Sequence, residues 1–159
     1  MKPPYPMDYE LICLKCELPY RARVYQTNKK FTPPPANVCP RCANREGWLE
    51  AEDVGEGWRP LLVEMDRRLS ELDPDYQIGQ IKEKFAGLRY YFAPSPWVDE
   101  ITKQKMWAIE AEIEARSYQI CEECGEPGTL DRRYPWIRTL CPRHQAARSD
   151  KRPWGIDPT

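Results

Sequence analysis

Four short segments constrain this chain more than anything else in it: Cys13-x2-Cys16, Cys39-x2-Cys42, Cys121-x2-Cys124 and Cys141-x2-His144. They use all seven cysteines and the only histidine. The last of them, CPRH, repeats the CPRC of residues 39–42 with histidine in place of the fourth residue. Zinc prefers a tetrahedron of thiolates and neutral imidazoles, and a C-x2-C turn presents two such donors to one side of the metal. Four half-sites therefore make two closed tetrahedra. The first is Cys13, Cys16, Cys39 and Cys42, with 22 residues between its halves, and the second is Cys121, Cys124, Cys141 and His144, with 16. The expected cofactors are two structural Zn2+ ions, and His144 is the eighth ligand.

Other uses of these cysteines fit less well. Disulfide pairing leaves one of seven unpaired and needs an oxidising compartment. The N-terminus, MKPPYPMDYELIC, has early prolines where a secretory signal needs an apolar stretch, so a cytoplasmic location with reduced thiols is expected. Thioredoxin-like chemistry uses a single C-x2-C at the start of a helix, whereas here each pair has a partner pair. A catalytic zinc keeps one position open for water, and both sites look closed. No second histidine is present to act as a base. The expectation is a protein that is not an enzyme, with no catalytic residues and no small-molecule substrate.

At 159 residues, 41% apolar and 31% charged with 17 prolines, the chain has the composition of a small globular protein rich in irregular connections. No apolar run is long enough to span a membrane, so no membrane partner is expected. The fold class expected is α+β in three parts. Residues 1–50 form a zinc ribbon, in which YRARVYQTN alternates like a strand and FTPPPAN returns as a stiff extended segment. Residues 51–120 form a helix, hairpin and helix core. GWRPLLVEMDRRLSEL places Trp58, Leu61, Leu62, Met65, Leu69 and Leu72 at helical spacing. YQIGQIKEKFAGLRYYFA predicts an antiparallel hairpin about Ala86-Gly87, with Leu88, Tyr90 and Phe92 on one side. A long helix is then predicted from Ser95-Pro96 to about Gln119, with Trp107, Ile109 and Ile113 on its apolar face. Residues 121–159 form a treble-clef-like zinc finger and a basic tail.

A helix running into CEECGEPGTLDRRYPWIRTLCPRH resembles the zinc finger of the DksA/TraR family, over about residues 108–148. The resemblance implies ligand roles for Cys121, Cys124 and Cys141. It also implies a regulator directed at bacterial RNA polymerase, since in that family the finger sits beside a coiled coil that enters the polymerase secondary channel. QIKEKFAGLRYYF is similar to a segment of small uncharacterised bacterial and phage proteins.

Charge supplies the remaining functional signal. The net charge of −1 conceals a partition along the chain: residues 15–45 hold seven basic and one acidic residue, and residues 46–114 eight basic and sixteen acidic. Residues 131–152 are basic again. Arg132, Arg133, Arg138 and Arg143 interleave there with Tyr134 and Trp136, and the first module offers Arg21, Arg23, Lys29 and Lys30. Such a mixture can grip phosphate while stacking a base, so these ten residues are the candidate contacts to a nucleic acid or to a nucleic-acid-associated protein such as RNA polymerase. The same side chains can instead solvate small zinc modules or fill a thin core. The function expected is a small two-zinc regulator that binds nucleic acid or transcription machinery. The alternative is a protein-binding inhibitor or adaptor, of possible phage origin, that acts through the acidic middle. A purely structural component of a larger assembly is a third class.

Overall fold

The computed structural model describes residues 7–24, 38–49 and 54–149. The segment FTPPPAN, with Lys29 and Lys30 before it, lies outside them. The fold is mixed α and β: the described residues form three two-stranded antiparallel sheets, and none of their helices is long and apolar enough to cross a membrane.

Strands β1 (Met7–Ile12) and β2 (Pro19–Val24) pair from Met7 opposite Val24 to Ile12 opposite Pro19, and the first Cys-x2-Cys turn closes this hairpin. The turn is fixed by its own backbone, with Cys13 N–H donating to Leu18 O (3.0 Å) and Glu17 N–H to Cys13 O (2.9 Å). The second half-site, Cys39 and Cys42, opens helix α1 (Pro40–Leu49). A helix at this place was not legible in CPRC, where a ribbon needs only a turn. Pro40, at the first helical position, has no N–H to leave unsatisfied. Asn44 ties α1 to the core: its amide donates to Tyr76 O (2.7 Å) and accepts from Ile78 N–H (2.8 Å).

The core is built as the periodicity predicts. A single 3-10 turn (Glu56–Trp58) leads into α2 (Arg59–Leu72), which buries Leu61, Leu62, Met65 and Leu69 while Leu72 packs at the margin. The hairpin β3 (Gln77–Lys84) and β4 (Gly87–Ala93) lays Ile81, Leu88 and Tyr90 against them, with Ile78 and Phe92 at the edge. A bulge between Ile78 and Gln80 keeps the alternation in phase. The buried hydroxyls of Tyr76 and Tyr90 meet at 2.7 Å, and Tyr76 donates onward to Asp66.

Three details differ from expectation. The turn is Phe85-Ala86, because Lys84 pairs with Gly87; both turn residues have positive φ (53° and 64°), which normally favours Asn or Gly. Gly87 is needed for closeness instead: a Cβ there would lie 2.5 Å from the Tyr118 ring. Helix α3 (Glu100–Ser117) begins later than Ser95-Pro96, with the Asp99 carboxylate accepting from Thr102 N–H (2.7 Å) as its N-cap. Trp107, expected in the core, is 47% exposed; Met106, Ile109 and Ile113 form the buried stripe, and one step along a helix turns Trp107 by about 100° away from Met106.

The remaining chain, β5 (Thr129–Asp131), β6 (Arg138–Leu140) and α4 (Pro142–Ala147), is fused to the core rather than appended to it. Gly57 N–H donates to Glu122 O (2.8 Å), the Trp58 indole donates to Ile120 O (2.9 Å), and the Thr139 hydroxyl donates to Ala86 O (2.7 Å). A Cβ on Gly57 would stand 2.0 Å from Cys121 O and 2.5 Å from Gly125 N. Gly57→Ala is therefore expected to cost about 3 kcal/mol, the upper range for forced overpacking, and to loosen the Cys121–His144 cluster as well. Urea unfolding and metal content measured on the same preparation would check both halves.

Candidate metal centres

Both ligand sets assemble as the spacing predicts. The four donor atoms of Cys13, Cys16, Cys39 and Cys42 lie within 4.8 Å of one another, and so do those of Cys121, Cys124, Cys141 and His144. In the first cluster the Cys16 and Cys39 sulfurs are 3.7 Å apart, and in the second those of Cys124 and Cys141 are 3.8 Å apart. A disulfide would need about 2.05 Å, whereas a tetrahedron with metal–sulfur bonds of about 2.3 Å has edges of about 3.8 Å. His144 turns Nδ1 to the site, 3.4 Å from Cys121 Sγ and 3.3 Å from Cys141 Sγ. The donor sets thus fit one metal ion each.

Local backbone prepares the thiolates. In the first site the N–H groups of Lys15 and Cys39 point at Cys13 Sγ (3.4 and 3.3 Å), and the Cys39 N–H bond is the main reason the Cys13 thiol falls to about 6. Cys42 is pushed up to about 12, chiefly by the neighbouring Cys39 sulfur. In the second site Cys141 falls to about 6, chiefly through the backbone N–H of His144, while burial pushes Cys121 up. The crowded sulfurs, four in the first site and three beside an imidazole in the second, cannot all carry charge without a cation, so each site could hold a metal ion. Both knuckles end on a left-handed residue that lets the chain double back, Glu17 (φ 58°) in the first and Gly125 (φ 79°) in the second.

The candidate partner contacts fall into different situations. Arg21 and Arg23 stand side by side on β2, both reach Asp8 (3.4 and 2.6 Å), and both lie over the Trp97 ring at 5.0 and 5.9 Å. Arg133 grips Asp131 through two 2.8 Å bonds and donates to Gln145 O (2.5 Å). Arg138 bridges Glu122 and Glu123 of the knuckle. Tyr134 is half-buried, with Arg148 at 4.7 Å and Arg133 at 5.7 Å from its ring centre. Trp136 is half-exposed and its carbonyl accepts from Arg148. Arg143 is drawn to the second cluster, where the Cys124 sulfur first and then Cys141 hold its guanidinium protonated. Arg132 is exposed. Much of the C-terminal basic charge is thus spent inside the finger, and Asp131 is its hub: the carboxylate also pairs with Arg148 (3.2 Å). That pairing could not be read from sequence order, because Arg148 lies beyond both half-sites of the ligand set.

The sequence pattern also missed an aromatic and basic set on the central hairpin: Lys82 over Tyr91 at 5.4 Å, and Lys84 over Phe85 at 5.3 Å. Their alternation along β3 was visible, but the face it occupies depends on the bulge. Comparison with family models, curated proteins and solved structures returns no match to the chain.

Two metal ions per reduced chain are expected by native mass spectrometry, with protons released on loading because coordinated cysteines are thiolates. His144→Cys should keep the second ion and His144→Ala should weaken it, read by competition with a chromogenic chelator. Asp131 gives a separate test. The Arg133 hydrogen bond, ahead of Arg148, depresses its pKa, so its stabilisation is complete above the unfolded value of about 3.9 and is lost only as pH falls through the lower folded value. Its carboxyl signal by NMR should therefore stay that of the ionised form down to the acid limit of the fold. At pH 7, Asp131→Asn should cost roughly 2 to 3 kcal/mol.

Proposed function

We propose that the protein is a non-catalytic binding protein, braced by two structural zinc ions, whose partner is nucleic acid. Zinc fits best because four-coordinate sets of four cysteines, or of three cysteines and one histidine, with no open position, are its structural signature. All eight ligands are committed, which leaves neither centre a vertex for substrate.

The observation that carries the partner is the outward face of β3 and β4. Pairing and burial put Gln80, Lys82, Lys84, Arg89 and Tyr91 on the side away from Ile81, Leu88 and Tyr90, with Phe85 at the tip, 71% exposed. No carboxylate belongs to that face: Glu83 lies on the core side, where it accepts from Ala86 N–H (2.6 Å), and Glu114 of α3 meets Arg89 at the edge (2.5 Å). Lys82 stands directly opposite Arg89, whose charge Glu114 already meets, so Lys82 and Lys84 are the cations that this face offers to a bound anion. Cations interleaved with exposed rings are the chemistry of single-strand binding, where bases stack and phosphates release counterions. The contacts expected at Arg132 and Arg143 in the finger, and at Lys29 and Lys30, remain part of this proposal as further phosphate contacts. A polymerase-directed role would place the same surface against the nucleic acid that the enzyme holds.

A second proposal, a protein-binding adaptor, is favoured by Ile12, Leu14 and Leu18, which stand exposed around the first knuckle. Salt separates the two. For nucleic acid, log affinity should fall linearly with log salt, and the double variant Lys82→Gln/Lys84→Gln should flatten that slope by about 1.5, the loss of two phosphate contacts, with both metals retained. Absence of oligonucleotide binding at low salt, together with partner capture abolished by Leu14→Glu, would reject nucleic acid in favour of the adaptor.

A further inference from the structure

The exposed face of the central hairpin does not end in open solvent. At the end away from Phe85, Gln77 and Ala93 lead into a groove of about 530 Å³ between the first metal module and the core. One wall is β2, with Tyr20, Arg21 and Arg23; the other is the segment before α3, with Ser95 and Trp97; α1 contributes Pro40 and Ala43. That volume lies within the usual range for sites that bury a small organic group.

Two features mark this groove as built for a ligand. Among the described residues, only two buried side-chain polar atoms have no hydrogen-bond partner, the hydroxyls of Tyr20 and Ser95, and both residues line it. Tyr20 is 8% exposed and Ser95 4%. A buried hydroxyl without a partner forfeits the bonds it made to water, so its retention asks for a reason. The Ser95 backbone is fully engaged, its N–H donating to the Asp73 carboxylate (2.6 Å) and its carbonyl accepting from Val98 N–H (3.4 Å), which fixes the residue while its hydroxyl goes unpaired. The second feature is the pair of guanidiniums over Trp97. Arg21 is 57% exposed and its ion pair with Asp8 is a long 3.4 Å contact, so most of its five donors remain for an anion.

We infer that this groove holds one nucleotide of a single strand lying along the β3–β4 face. The base enters against Val38, Ile78 and Pro94, and its phosphate sits at Arg21 over Trp97. This rests on nucleic acid being the partner and names where one of its units is gripped. The order of features, Phe85 and Lys84 at the tip, Lys82 and Tyr91 along the strands and the groove at the far end, gives the strand one continuous track. Stacking and cation contacts supply the affinity and the groove limits what fits.

The experiment titrates fluorescein-labelled single-stranded oligothymidylate and oligouridylate, a duplex of equal length and free uridine monophosphate into the metal-loaded full chain. Trp97→Ala and Arg21→Gln should each weaken single-strand binding about tenfold, the loss expected for one stacked base or one phosphate grip. Arg67→Gln, which touches only the exposed pair with Glu71, should leave it unchanged. The Trp97 indole N–H resonance should move on titration. Oligonucleotide binding unaltered in Trp97→Ala and Arg21→Gln would overturn the groove and leave the hairpin face as the site. No binding of any nucleic acid by the wild type would overturn the partner itself. Free nucleotide bound as tightly as the oligomer would replace the strand with a soluble ligand, and a Trp97 shift produced only by carboxylate-bearing peptides would reassign the groove to protein.

Discussion

The close approach of Gly57 and Trp58 to the Cys121–Gly125 knuckle is the contact on which the rest of the molecule depends. The backbone of Gly57 passes so near Cys121 O that no side chain fits between them, and the fully buried indole of Trp58 spends its one donor on Ile120 O. The knuckle orients the start of α2, and α2 then sets the apolar floor on which the hairpin and α3 pack. The second ligand cluster is accordingly part of the core. The first is joined more lightly, through the two bonds of Asn44 and the stack of Arg21 and Arg23 on Trp97.

The same fusion explains a strained turn. Two consecutive non-glycine residues at positive φ cost roughly 1–2 kcal/mol each, and a free hairpin would choose Asn-Gly instead. Here Ala86 is clamped from both sides, its N–H to Glu83 and its carbonyl to Thr139 of the finger, so that Phe85 is held outward. Strain of this kind persists where tertiary contacts over-determine it and is common at binding surfaces. The finger therefore shapes the hairpin tip without touching whatever the tip meets.

Charge behaves similarly. Among the described residues, part of the acidic middle and of the basic ends seen along the sequence is neutralised locally by ion pairs. Glu64 and Glu112 meet Arg68 and Arg116 between α2 and α3, Glu122 and Glu123 take Arg138, and Asp131 takes Arg133 and Arg148. What stays outward is decided by which cations lack a carboxylate within reach. A count along the chain cannot supply that, since Arg68 and Glu112 are brought together only by helix packing.

The sequence by itself determined the parts whose chemistry is local. Two Cys-x2-Cys turns and their partners assemble into clusters that could hold a metal, because a thiolate pair three residues apart already forms half a tetrahedron, and the apolar period of residues 58–72 needs only one helix face to bury. The hairpin was legible from its alternation. Tertiary structure decided the rest. It chose Met106 over Trp107 for the core, since neighbouring residues on a helix point about 100° apart and only the packing partner says which faces inward. It moved the turn to Phe85-Ala86, because Gly87 was required by the Tyr118 ring and not by the bend. It consumed Arg133 and Arg138 internally, and it made a groove from Tyr20, Ser95 and Trp97, residues far apart in the chain whose meeting depends on how one module is set against another.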